Sequence, residues 1–175
     1  AKVGEHIRPE SRLSFACIKH GPKPRLVKSN AQLDKIIEYI SNGNLTDVGI
    51  LVYYNDQVKQ IRDYFQSRGI PVQWKTKDAM EINFKSTSPK IITWHCAKGL
   101  QFNDVFIPCC GLDEYKQYVQ WSHEPMTEKK SALYVATTRP LENLYLLYTN
   151  NLAPLLPNPN SPVYSGNTGS NSGPF

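Results

Sequence analysis

No apolar run in the sequence approaches the roughly 18 residues that a helix needs to cross a bilayer, so no membrane span or membrane partner is expected. The chain does not open on a basic-then-apolar segment either, and on that pattern it is expected in the cytoplasm. Its cysteines, Cys17, Cys96, Cys109 and Cys110, show no C-x-x-C spacing, which argues against a disulfide framework. Gathering His95, Cys96, Cys109 and Cys110 around a metal is the sharper alternative. Structural zinc sites space their ligands by two to four residues, so buried thiols are the expectation and no metal ligand is assigned. No G-x-x-x-x-G-K-[ST] occurs, which excludes a phosphate-binding loop of that type within these residues. No acidic pair closes a strand ahead of the first predicted helix. Charge is missing altogether from Asn150 to Phe175, a stretch of Asn, Pro, Ser and Gly that reads as a flexible tail or linker.

What is present fits one domain. A chain of 175 residues with 40% apolar and 20% charged side chains can bury a sizeable core. A net charge of +5 permits a polyanionic partner without demanding one. Residues 1–28 hold Lys2, Arg8, Arg12, Lys19, Lys23, Arg25 and Lys28 against Glu5 and Glu10. Unpatterned charge ordinarily serves solubility, so an irregular, solvated lead-in is expected there, with a surface for a polyanion as the alternative. Within it, Arg12–Ile18 is compatible with a strand, and Gly21-Pro22-Lys23-Pro24 is a turn or extended connector.

From residue 29 the pattern sharpens. Ser29-Asn30-Ala31-Gln32 fits a capping box, Leu33, Ile36, Ile37 and Ile40 share one helical face, and Asn42-Gly43 supplies a stop. Val48–Tyr53 is a continuous apolar run suited to a strand covered on both faces. Asn55 is placed to cap a second helix with Val58, Ile61 and Phe65 on one side, ended at Gly69. Pro71–Trp74 predicts a short strand, residues 75–89 a connector, and residues 111–126 show no clear period. Thr127 to Thr138 predicts a helix with Leu133 and Ala136 inward and Pro140 past its end, and Asn143–Tyr148 a last strand. Helix and strand alternate, which argues an α/β fold on a parallel sheet with helices on both faces.

The chemistry-bearing stretch is Lys90–Pro108. Strand-like Ile91–His95 breaks into Cys96-Ala97-Lys98-Gly99-Leu100-Gln101, and Val105-Phe106-Ile107 follows. A lysine, a glycine and a carboxamide between two buried strands suit an anion, and in open α/β sheets such loops line the crevice at the carboxyl ends of the strands. His95 to Gln101 are therefore expected to face that crevice. The loops after Tyr53 and after His95 are expected to open on one edge.

Thr93, His95, Ala97, Lys98, Gly99, Leu100, Phe102, Val105 and Phe106 make this stretch resemble motif V of the UvrD-like superfamily 1 helicases, T-x-H-x-A-K-G-L-E-F-x-x-V-F. Gln101 departs from the glutamate usual there. Leu133–Arg139 resembles motif VI, Y-V-A-x-T-R-A, with Pro140 in place of alanine. Tyr53–Asp56 resembles motif IV, but Tyr53 stands where the family commonly places an arginine that reaches the terminal phosphate of ATP, and tyrosine carries no fixed positive charge.

The resemblance spans about residues 23–148 and implies a RecA-like parallel sheet flanked by helices, the fold of phosphate-loop NTPases without its own phosphate loop. Residues 1–28 would be the lead-in, 29–149 the C-terminal RecA-like domain and 150–175 the tail. It implies the C-terminal motor half of an ATP-dependent DNA helicase, completed by an N-terminal RecA-like domain that supplies the phosphate loop and the Mg²⁺ carboxylates. Arg139 would be the arginine that neutralises the transferring phosphoryl group, a role worth about 10³ to 10⁵ in rate. Lys98, Gly99 and Gln101 would line the nucleotide cleft, with Gln101 hydrogen-bonding the sugar. Thr93 and His95 would approach the backbone of single-stranded DNA, or else be structural residues at a strand end. ATP and Mg²⁺ would belong to the whole protein, with neither held by this chain alone. The alternative is a degenerate RecA-like module that binds nucleic acid or protein without motor activity, for which Tyr53 and Gln101 speak.

Overall fold

The computed structural model describes residues 2–7, 22–76, 80–121 and 126–165. The strand considered at Arg12–Ile18, Cys17 and the tail beyond residue 165 lie outside the described residues. Among the described residues no helix is long and apolar enough to cross a membrane.

The fold is α/β, as the alternation implies. Its elements are α1 (Lys2–Ile7), β1 (Arg25–Lys28), α2 (Gln32–Gly43), β2 (Val48–Val52), α3 (Asn55–Gln66), β3 (Gln73–Lys75), β4 (Met80–Glu81), β5 (Lys90–Thr93), β6 (Phe102–Ile107), α4 (Leu112–Trp121), α5 (Met126–Thr137) and β7 (Pro140–Tyr148). The strands form one sheet in the order β1-β7-β6-β2-β5-β3-β4. Among the described residues six strands run parallel and β4 is antiparallel, paired to β3 at one edge. β2 is central, with Val52 opposite Thr93 of β5 and Gly49 opposite Val105 of β6.

Successive residues of each strand point to opposite faces, and both faces are covered. On one side Val48, Ile50 and Val52 pack with Ile36 of α2 and Val58, Ile61 and Phe65 of α3. On the other, Leu51, Ile92, Val105 and Leu146 pack with Val3 and Ile7 of α1 and Ala132, Leu133 and Ala136 of α5. This is why β2 is buried at every position and reads as an unbroken apolar run. Each such Val, Leu, Ile or Phe side chain contributes about 1.5–3 kcal/mol when fully buried.

Several local expectations change. The lead-in is not irregular at its two described ends. Lys2–Ile7 is a helix anchored by Val3 and Ile7, and Arg25–Lys28 is an edge strand on β7. The capping box at the start of α2 does not form. Ser29 Oγ accepts the Ala31 N–H at 3.0 Å, while the Gln32 side chain turns away to Thr149 and Cys109. The helix stops at Asn44, which takes the left-handed conformation (φ 48°). Residues 112–121, without a clear period in sequence, are α4. The uncharged tail is not free over 152–165. Leu156 and Tyr164 are buried, Ala153 N–H donates to Cys110 O (2.9 Å), and Ser165 N–H donates to Pro24 O (2.9 Å). Its few apolar residues are anchors, and a segment needs only enough of them to offset the entropy of ordering.

Candidate functional site

Two strands parallel to the same neighbour cannot be joined by a tight turn; the chain must return from the carboxyl to the amino edge of the sheet. β5 and β6 both run parallel to β2, on its two sides, so residues 94–101 make that return. At the carboxyl edge Trp94 N–H donates to Val52 O (2.7 Å) and the Trp94 indole Nε1–H donates to Leu51 O (3.1 Å). Thr93 is buried, and its Oγ1 accepts the Cys96 N–H (3.3 Å), capping a 3-10 turn over His95–Ala97. His95 is exposed, with its ring 5.5 Å from that of Tyr53. Lys98 and Gly99 are exposed, and Gly99 has φ +84° with open space around its Cα, so here backbone conformation rather than room asks for glycine. Gln101 directly precedes β6 and therefore sits at the amino edge. The loops after Tyr53 and after His95 do start side by side, as expected. His95 to Gln101 do not share one crevice, because a parallel connection of this kind spans both edges.

The amino edge is where the two motif-bearing stretches meet. Phe102 is buried at the start of β6, packed over Gly49 of β2. The Asp47 carboxylate accepts the Asn103 N–H (3.0 Å), and Asn143 Nδ2 donates to Asp104 Oδ1 (2.8 Å). Arg139 links α5 to β7, and its carbonyl accepts the Phe102 N–H (3.2 Å). Its guanidinium is half-buried. Nε donates to Val135 O (2.9 Å), Nη1 to Leu100 O (3.3 Å) and Nη2 to Thr138 Oγ1 (3.1 Å). A cation at the C-terminus of α5 is favoured by the exposed carbonyls there. Arg139 and Gln101 are thus brought to one edge, and Thr93 and His95 lie at the other.

Tyr53 cannot act as a charged contact. It is buried, with ring centroids 4.7 Å from Tyr54 and 5.2 Å from Trp94. Lys59, the first basic residue after it, is exposed and pairs with Asp56 at 3.6 Å. Gln57 was not singled out by sequence, yet its Oε1 accepts both the Tyr53 and Tyr54 N–H groups, at 3.1 and 2.9 Å. Its place three residues after the N-cap Tyr54 was the available signal. Gln32, read from the sequence as part of a capping box, instead receives the Cys109 N–H (2.8 Å) and donates to Thr149 Oγ1 (3.0 Å), tying the start of α2 to the ends of β6 and β7. Burial pushes the Cys109 thiol up to about 12 and the Cys110 thiol well above its usual range. Among the described residues no cluster of three or more His, Cys, Asp and Glu is placed to hold a metal ion.

Residues 74–151 match the family model of the UvrD-like helicase C-terminal domain, a span that runs from β3 through β7. No curated protein matches the chain. Among solved structures, it is similar to the C-terminal domain of a possible DNA helicase from Lactobacillus plantarum WCFS1, with 19% identity and a TM-score of 0.64 over 84% of this chain and 86% of that one. It is also similar, at 10% identity over 75% of this chain and 79% of that one, to the Escherichia coli DEAD-box protein SrmB bound to regulator of ribonuclease activity A; a TM-score of 0.46 gives that likeness no weight. The sheet order, the contacts of Leu100 and Phe102 with Arg139 and the family match agree: over residues 74–151 the chain is similar to the UvrD-like helicase C-terminal domain, on a parallel α/β sheet of the kind found in helicase C-terminal domains.

Proposed function

We propose that the chain is the C-terminal motor half of an ATP-dependent DNA helicase, with the two edges of its sheet divided between nucleotide and nucleic acid. The observation that carries this reading is the tie between Arg139 and the loop before β6, through Nη1 to Leu100 O at 3.3 Å and through the Phe102 N–H to the Arg139 carbonyl at 3.2 Å. A permanently charged, planar donor is held on one edge with Leu100 and Phe102, and so beside Gln101, the arrangement wanted for meeting a nucleotide phosphate and sugar across a domain boundary. Arg139 stabilises the transferring phosphoryl group; Gln101, which both donates and accepts, contacts the sugar; Lys98 and Gly99 border the same cleft. ATP with Mg²⁺ is the substrate, presented by an N-terminal RecA-like domain. On the opposite edge exposed His95 meets the phosphate backbone of single-stranded DNA. Thr93, buried beneath it, acts by fixing the turn that carries His95.

In the intact protein Arg139→Ala is expected to lower DNA-stimulated ATP turnover by about 10³-fold or more while leaving single-strand affinity in place. Turnover above a tenth of wild type sinks the assignment. His95→Ala should give the converse signature, weaker single-strand binding with ATP affinity kept in the absence of DNA.

A second reading rests on Tyr53. A buried aromatic stands where the resembling helicases commonly have an arginine, and a degenerate module that binds nucleic acid or protein without motor activity would tolerate it. An intact protein with normal single-strand affinity and no ATP turnover would favour that reading.

A further inference from the structure

We propose that Thr138 is a positioning residue for the Arg139 guanidinium, a role that rests on the reading of Arg139 given above. The guanidinium has five N–H donors in a rigid plane. Three are aimed at acceptors on this chain: Nε at Val135 O, one N–H of Nη1 at Leu100 O and one N–H of Nη2 at Thr138 Oγ1. Among the described residues this leaves one N–H on each terminal nitrogen for an oxyanion. The side chain is therefore held rather than loose, and it is held by two different stretches of chain.

The Thr138 hydroxyl is suited to its part. It lies 3.0 Å from Tyr134 O and 2.9 Å from Val135 O, so its single proton goes to the carbonyl end of α5. A lone pair is then left to accept from Nη2 at 3.1 Å. The hydroxyl relays the helix end to the arginine: it donates inward and accepts outward. Valine has the same shape and can do neither; serine can do both. The other two holds are main-chain carbonyls, so Thr138 is the one member of this cradle whose chemistry a substitution can remove. It does not touch the nucleotide in this account, and acts only through Arg139.

The test is steady-state, DNA-stimulated ATP hydrolysis by the intact protein, with folding of each variant checked by circular dichroism. Thr138→Val is expected to lower kcat about tenfold with KM for ATP within twofold, because the charge remains but its aim is lost. Thr138→Ser should stay within twofold of wild type in both. On an Arg139→Ala background, Thr138→Val should change nothing further. Wild-type kcat in Thr138→Val, a serine variant as impaired as valine, or an additive loss in the double variant would each overturn the proposal. If Arg139→Ala is inert while Thr138→Val is normal, only the positioning role fails. If Arg139→Ala itself turns over normally, the reading of Arg139 fails and takes the proposal with it. A valine variant that does not fold is replaced by Thr138→Ala, judged by the same outcomes.

Discussion

At the scale of single residues, the amino edge depends on a glycine far from it in sequence. A Cβ on Gly49 would lie 2.5 Å from the Phe102 ring, and that ring is buried between strands rather than being the free end of a flexible chain. Gly49→Ala should therefore destabilise by about 1–3 kcal/mol, the usual cost of overpacking a closed core. Chemical denaturation would show this as a lower midpoint with an unchanged slope; an unaltered midpoint would mean that β2 and β6 have more slack than this contact allows. This pairing was not legible in the sequence, since Gly49 and Phe102 meet only through the parallel register of two strands. The partners of Gln32 escaped for the same reason. A carboxamide carries no pattern of its own, and its partners, Cys109 and Thr149 in the case of Gln32, are distant in the chain.

At the scale of elements, the long periodic segments were legible: α2, β2, α3, the strands of residues 90–107, α5 and β7. Their apolar residues recur at helical spacing or run unbroken, because the sheet buries both faces. What was not legible had weak periodicity. Among the described residues α1 offers Val3 and Ile7 to the core, and α4 mixes half-buried Leu112 and Tyr115 with exposed polar residues. The packed tail is anchored by isolated apolar residues such as Leu156 and Tyr164 in a polar background. The end of β6 makes a prediction about pH. Cys109 and Cys110 are protonated in the folded state well beyond the ordinary thiol value of 9.0, mainly through burial. The unfolded chain loses these protons first, so the contribution is intact below about pH 9 and is lost as pH rises toward 12. Stability should fall by about 1.4 kcal/mol per pH unit per thiol in that window. Cys109→Ala should flatten the fall measured by thermal unfolding from pH 8 to 10.5, and an unchanged slope would contradict it.

At the scale of the whole molecule, the parallel sheet decides which residues can cooperate. The motif read as one loop is divided by topology: His95 stays at the carboxyl edge, and Gln101 arrives at the amino edge beside Arg139. Sequence spacing cannot reveal this, because eight residues are equally compatible with one broad crevice and with a crossing. The resemblance named the residues; the strand order showed which of them share a surface. The proposed motor would use both surfaces and would need a second domain to hold the phosphates. The most direct test measures ATP turnover, with and without single-stranded DNA, for this chain alone and for the intact protein. The account predicts no turnover by the chain alone and DNA-stimulated turnover by the intact protein. Turnover that stays with the purified chain, or none in the intact protein, would contradict it.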